Sequence, residues 1–275
     1  MFKRPTSPFR MQVDDPHCPP LGKGLTAYQD HLYADAIRHF DDALRALAGT
    51  QDRGRMREAW KGKGRALGAL GRVDDELECF RRGLEIDQED GELWLSAADV
   101  LDDLGRHEDA LTCYDRAVRL SPDADSIWYD RGLLLRKLGR HEDALESLDR
   151  ATRLNPGNAR AWIARGAELA ALGRTEEEVA CYDQAIAIDP TDVKAWNNRG
   201  EALGTLGRIK DALACFDRAL ALNPRFADAW FDKGATLASI GKVAEGLSCF
   251  QEARLLGHPR AADAIAALNR WLAQH

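Results

Sequence analysis

WYDRGLLLRKLGRHEDALESLDRATRLNPGNARAW, residues 128–162, begins and ends on tryptophan, with 34 residues from one ring to the next. The same interval separates Trp60, Trp94, Trp128, Trp162, Trp196 and Trp230, six of the seven tryptophans in the chain. Self-similarity at a fixed period of this size is the mark of stacked supersecondary units. Inside the quoted unit a small residue, Gly132, follows the tryptophan by four places. Gly139 follows seven further on, where one helix would end and turn into the next. Leu148 and Ala151 then give an apolar and a small position three apart, and Asn155-Pro156 supplies a capping residue and a proline that cannot continue a helix.

Outward from this unit the register repeats. The place of Gly132 is taken by Gly64, Ala98, Gly166, Gly200 and Gly234, and that of Gly139 by Gly71, Gly105, Gly173, Gly207 and Gly241. Leu148 corresponds to Phe80, Tyr114, Tyr182, Phe216 and Phe250, and Ala151 to Gly83, Ala117, Ala185, Ala219 and Ala253. Ser121-Pro122, Asp189-Pro190 and Asn223-Pro224 repeat the stop. Tryptophan, glycine, glycine, aromatic, alanine and proline in this order within this period resemble the tetratricopeptide repeat family.

The resemblance implies an all-α fold, a right-handed α-α superhelical solenoid of about seven helix pairs with a C-terminal capping helix. Its match runs from 57 to about 258 without insertion. It extends back over a weaker first repeat that keeps Gly24, Ala36, Phe40 and Ala43 but has Pro20 in the tryptophan place. The expected organisation is a flexible tail over 1–16, a repeat domain over 17–258 with repeats starting near 17, 57, 91, 125, 159, 193 and 227, and a cap over 259–275. In that last segment Ala261, Ile265, Leu268 and Leu272 recur at helical spacing beside Trp271.

Each repeat is expected to be two antiparallel helices, A then B. Gly132 lets helix A approach helix B, and Trp128 is expected to be buried between repeats. Gly139 offers the left-handed conformation after helix A. Acids such as Glu142 and Asp143 suit the start of helix B, and Thr175-Glu176-Glu177-Glu178 has capping-box spacing.

Composition narrows function. Apolar residues make up 45% and charged residues 30%, enough for both a core and a solvated surface. The formal net charge of −7 has the wrong sign for neutralising phosphates, so nucleic acid is not an expected partner. No apolar run is long enough to span a bilayer and the basic N-terminus lacks an apolar segment behind it, so a membrane is not expected and the chain reads as cytoplasmic. Cys79, Cys113, Cys181, Cys215 and Cys249 hold one repeat position. Stacked repeats place such positions roughly 10 Å apart, beyond the reach of about 7 Å that a disulfide tolerates, so free thiols are expected. Cys18 is assigned to the tail.

Catalytic motifs fail on inspection. His107-Glu108 and His141-Glu142 open like a zinc-protease helix, but Leu111 and Leu145 stand where the second histidine is needed. Gly22-Lys23 and Gly62-Lys63 lack the glycine of a phosphate loop five places earlier. No catalytic residue, cofactor or metal is expected. In the family the A helices line a channel for peptides or helices, and residues one, five and eight or nine after the tryptophan point into it. Carried over, the groove residues are Lys61 and Arg65; Leu95 and Asp99; Tyr129, Leu133 and Arg136; Ile163 and Ala167; Asn197 and Glu201; and Phe231. Lys61 and Arg65 could meet an acidic partner, or could be neutralised by Glu92, Asp99, Asp102 and Asp103 on the next repeat. The family's Lys-x-x-x-Asn carboxylate clamp is absent, since Arg65 follows Lys61 and Glu201 follows Asn197.

The expected role is a non-catalytic scaffold or adaptor that binds a peptide or helix of a partner protein whose identity the sequence does not give. The alternatives are a substrate-recruiting or regulatory subunit of an enzyme complex and a repeat-type RNA binder. Self-association stays open.

Overall fold

The computed structural model of the chain describes residues 17–274. The tail expected over 1–16, like His275, lies outside the described residues. Among the described residues there are fifteen α-helices and no strand. They fall into two compact units that divide between Ile127 and Trp128.

The first unit holds α1 (Pro19–Gln29), α2 (Tyr33–Leu47), α3 (Arg53–Ala69), α4 (Val73–Ile86), α5 (Gly91–Asp103) and α6 (His107–Leu120). The division falls inside α7 (Asp125–Lys137). The second unit continues with α8 (His141–Leu154), α9 (Ala159–Ala171), α10 (Thr175–Ile188), α11 (Val193–Thr205), α12 (Ile209–Leu222), α13 (Ala227–Ser239), α14 (Val243–Leu255) and α15 (Ala261–Leu272). In both units each helix packs chiefly on its sequence neighbour, α3 on α4 and α13 on α14 most extensively.

Two kinds of chemistry end and start these helices. After the inner (A) helices α3, α5, α7, α9, α11 and α13 a glycine closes the turn, and after α1 His31 takes its place at φ +61°. Gly139 has φ +71°, its N–H donates to the Arg136 carbonyl, and the N–H of Arg140 donates to the Leu135 carbonyl at 2.9 Å. This pair of bonds satisfies the last carbonyls of the helix. The next helix starts at once, and Arg140 pairs with Asp143 one turn in, a contact repeated by Arg72–Asp75, Arg106–Asp109 and Arg208–Asp211. Four inner helices, α3, α5, α9 and α11, start instead on a side-chain cap, whereas Cys18 before α1 and Phe226 before α13 make none. Asp52, Asp90, Asn158 and Asp192 each accept a hydrogen bond from the backbone N–H three residues on.

The small residue four after each tryptophan is explained by the neighbouring helix. A Cβ added to Gly200 would lie 2.6 Å from Phe216, and one added to Gly166 would lie 2.7 Å from Tyr182. Both rings are almost wholly buried. The aromatic of helix B therefore fills the notch that the missing Cβ of helix A leaves.

Three expectations need correcting. The tryptophans are half-buried rather than buried. Trp196 and Trp230 lean on a core of Ala219, Leu220 and Ala229, while the indole N–H of Trp94, Trp162, Trp196 and Trp230 donates to the carbonyl six residues earlier, at 2.8–3.0 Å. A ring that must reach the preceding loop keeps one edge in water, so it seals the junction instead of filling it. Thr175 makes no capping bond: α10 is capped by Arg174, and Thr175 is already its first residue. Cys18 is not in a tail. It caps α1 and is 3% exposed, packed with Leu21, Leu25 and Phe40. The segment after Pro259 does form a helix, α15, against α14; within it Ala261 is buried, Ile265 and Leu268 are half-buried, and Trp271 and Leu272 stay exposed.

Candidate functional site

The residues one and five places after each tryptophan sit around the middle of the inner helices, one turn apart on one face. Side-chain caps fix the starts of α3, α5, α9 and α11 and so hold their residues in register. The structure places them differently in the two units.

In the first unit, Lys61 on α3 is only 4% exposed. Its Nζ lies 2.8 Å from Glu92 Oε2 and 3.4 Å from Asp90 Oδ2 on the α4–α5 side, and Arg65 bonds the other oxygen of Glu92. Burial works against the Lys61 charge, but the hydrogen bond to Glu92 and the charges of Glu58, Glu92 and Asp90 outweigh it and raise the pKa. Burial likewise opposes ionisation of Glu92, and Lys61 with Arg65 overturns it, holding the carboxyl below its usual range. Both cations are thus matched by the next repeat. Leu95 is half-buried, and Asp99 accepts a 2.6 Å hydrogen bond from the Tyr114 hydroxyl.

In the second unit, Tyr129, Leu133, Ile163 and Ala167 are all half-buried and present apolar surface. Arg136 is exposed and lies 3.7 Å from Glu168, a fully buried carboxylate that also bonds His141 Nδ1 at 2.8 Å. On α11 and α13, Asn197 donates to Asp232 at 2.9 Å and leaves its own Oδ1 buried without a partner. Glu201 is exposed. Phe231 stacks on His258 with centroids 4.1 Å apart, touches Phe250 at 5.1 Å, and carries the Arg260 guanidinium 4.6 Å from its ring centre.

Sequence reasoning missed Glu178, Asp232, His258 and Arg260. For Glu178 the signal was present. In the 34-residue register its place is held by Ala36, Ala110, Ala144, Ala212 and Gly246, and only repeats two and five put a glutamate there, Glu76 and Glu178. Glu178 is 7% exposed, and burial pushes its carboxyl up to about 7. Glu201 keeps much of its side chain in water, yet partial desolvation of its carboxyl first, and then the charges of Asp232 and Glu178, push it up to about 7. The cysteines offer no activated nucleophile: burial raises the Cys79 thiol to about 12 and the Cys113 thiol to about 11. The described residues hold no group of three or more His, Cys, Asp and Glu placed to bind a metal, and no helix among them is long and apolar enough to cross a membrane. What the surfaces offer is hydrogen bonding, ion pairing and apolar contact.

Models of the tetratricopeptide repeat match residues 21–91, 95–159 and 129–193, a further one matches 193–226, and another 215–247. The chain belongs to the tetratricopeptide repeat family. No curated protein sequence matches it. Among solved structures, this tetratricopeptide repeat chain is similar to YrrB, described as a tetratricopeptide repeat protein with an unusual peptide-binding site, at 24% identity over 68% of this chain and 98% of that one, with a TM-score of 0.59. A tetratricopeptide repeat protein from Parabacteroides merdae aligns at 17% identity over 90% and 95% of the two chains, TM-score 0.61. Pseudomonas aeruginosa pilF aligns at 16% identity over 79% and 99%, TM-score 0.63. At these identities the likeness establishes the fold.

Proposed function

We propose that the chain is a non-catalytic scaffold that binds a peptide or helix of a partner protein along the inner faces of its A helices. The observation that carries this is the half-buried apolar set Tyr129, Leu133, Ile163 and Ala167 at family groove positions of the second unit. These side chains recur one turn apart and keep apolar surface open where a partner's anchors would need it. In YrrB, a protein of the same fold, a peptide-binding site is described, which fits the same use here. In the first unit Lys61 and Arg65 contribute through the ion-paired edge they form with Glu92, and Leu95 and Asp99 through contact beside it. Arg136, Asn197, Glu201 and Phe231 complete the proposed surface. Six buried free thiols suit the reducing conditions of the cytoplasm, where we place the protein.

The test is affinity capture from native lysate by the full chain and by a triple variant, Tyr129→Ala, Ile163→Ala and Phe231→Ala. A protein captured by the wild type should disappear with the variant while its helical circular dichroism is retained. Identical captures by the two forms would move binding away from these faces.

A further inference from the structure

We propose that the face running from α7 across α9 to α11 in the second unit takes a peptide segment with acidic side chains, which pair with Arg160 and Lys194 while its apolar residues rest on Tyr129 and Ile163. The inference rests on the peptide-binding function proposed above and gives the partner a chemical class.

The starting observation is a change of sign at one repeat position. Two places before the tryptophan, at the start of the inner helix, stand Glu58, Glu92, Ser126, Arg160, Lys194 and Asp228. The helix dipole is positive there, so an acid suits the place and a cation is disfavoured. Repeats five and six nevertheless put cations at the second residue of α9 and of α11, and neither helix has an acid in its first turn. Both side chains are exposed, and among the described residues neither makes a hydrogen bond or an ion pair. The arginines that cap outer helices behave otherwise: Arg140, Arg174 and Arg208 each pair with an acid three residues on. The fold thus makes no use of the Arg160 and Lys194 charges.

The register gives their surroundings. In the first unit the residue one place after a tryptophan, Lys61, reaches the residue 31 places on, Glu92, at 2.8 Å on the next inner helix. The same step leads from Tyr129 to Arg160 and from Ile163 to Lys194. Tyr129 responds to that neighbour: burial, first, raises its hydroxyl, and Arg160 and Arg136 act against the rise. Both Tyr129 and Ile163 are half-buried, so each step offers an apolar surface and an unmatched cation where the first unit has a closed ion pair. A third cation stands close by. Glu168 is wholly buried in a place that Ala66, Val100, Leu134 and Ala202 fill in other repeats. Its Oε2 bonds His141 Nδ1 at 2.8 Å, and its Oε1, buried without a hydrogen-bond partner, faces Arg136 Nε at 3.7 Å. That carboxylate draws Arg136 towards α9, while the exposed guanidinium makes no hydrogen bond of its own and keeps its outer N–H groups open to a ligand oxygen. The strip of cations ends at α13, where Asp228 takes the place of Lys194. Stacked helices put equivalent positions roughly 10 Å apart, which an extended chain spans in about three residues at about 3.3 Å each. Partner carboxylates three residues apart with an apolar residue between them fit this spacing. The net charge of −7 repels an acid at long range, so recognition has to come from this local face.

The probes are end-blocked hexapeptides Ala-Xaa-Leu-Ala-Xaa-Ala in which Xaa is glutamate, glutamine or lysine, and the glutamine peptide with a free C-terminal carboxylate. They are titrated at low ionic strength into the isotope-labelled full chain with amide shifts followed by NMR. Four proteins are compared: the wild type, the strip variant Arg160→Gln/Lys194→Gln, the reversal Arg160→Glu/Lys194→Glu, and the control Lys210→Gln/Arg218→Gln. The reversal carries the residue type of Glu58 and Glu92 and so keeps the fold, and the control removes the same charge from exposed positions of the outer helix α12. The expected result is glutamate-peptide shifts centred on Tyr129, Ile163 and the first turns of α9 and α11, with an affinity weaker by about tenfold or more in the strip variant and unchanged in the control. The reversal should not bind it, at a thermal midpoint no lower than that of the wild type, and the blocked glutamine and lysine peptides should not bind the wild type. Absence of glutamate-peptide binding by the wild type, equal weakening by the control, or binding indifferent to the strip variant would overturn the proposal. So would binding of the free-acid glutamine peptide at the same amides as tightly as the blocked glutamate peptide, which would assign the face to a chain terminus. Any of these with the lysate capture still lost in the triple variant would leave groove binding standing and discard only the acidic class.

Discussion

A single side chain, Glu178, sets a pH dependence that can be signed in advance. In an unfolded chain its carboxyl has the ordinary value of 4.5, and burial raises it to about 7 in the folded protein. Between those values the folded state holds the proton more tightly than the unfolded state, so stability falls as pH rises through that window and stays lowered above it. Glu201 and Asp232 on the facing helices, both raised, push in the same direction, while Arg260 and His258 oppose it. Replacing Glu178 by alanine removes its share. We expect Glu178→Ala to gain roughly 1–3 kcal/mol relative to wild type at pH 8 compared with the same difference at pH 4.5. Urea titrations at the two pH values give the comparison directly. A variant whose advantage did not grow with pH would mean the Glu178 carboxylate is stabilised by something in the fold. The carboxyl's burial comes from α10 and its neighbours, which is why repeat periodicity could flag the residue as unusual yet could not assign it a consequence.

At the level of the helix and its ends, the glycines divide by what they are for. Gly139 has φ +71° and nothing within 4 Å of where a Cβ would stand. Gly139→Ala should therefore destabilise by about 1–2 kcal/mol through backbone strain alone. Gly157 has no such conformation and faces only the Asn155 side chain at 3.5 Å, so Gly157→Ala should be neutral or stabilising by about 0.4–1 kcal/mol. Thermal melts of the two single variants test the pair, and a similar loss in both would show that space rather than φ governs. These turn glycines and the notch glycines were legible because their role is set within one repeat by φ or by a contact 16 residues away, as Gly200 is with Phe216. Other features were not. The capping box at Thr175 satisfied a spacing rule, but Arg174 holds the N-cap place: its carbonyl accepts from the Glu178 N–H at 3.0 Å, and its side chain pairs with Glu177. The tryptophans gave the period correctly and their depth wrongly, since the indole N–H bond to the preceding loop is a tertiary fact. Of the proposed groove residues, the matching of Lys61 and Arg65 by Glu92 could be anticipated from charge alternation between repeats. The meeting of Phe231 with His258 and Arg260 could not, because Arg260 follows the last repeat and His258 stands in the place that Pro156, Pro190 and Pro224 hold in earlier ones.

Over the whole chain, each helix within a unit gains most of its contact from helices next to it in sequence, with α1 to α3 and α11 to α13 as the longer-range exceptions of note. Stability is then close to a sum of repeat and nearest-neighbour terms, and a chain built this way opens from its weakest end without losing its middle. That end can be identified in the second unit. In α15 only Ala261 is buried, and Trp271 and Leu272 are 47% and 48% exposed, whereas α11 and α12 each bury five residues. With so little apolar surface removed from water, α15 has little to offset its ordering entropy. Native-state hydrogen exchange followed by mass spectrometry should show α15 amides protected at least about tenfold less than those of α11 and α12, with a denaturant dependence that reports local rather than global opening. Equal protection along all three helices in the free protein would instead make α15 part of one cooperative unit.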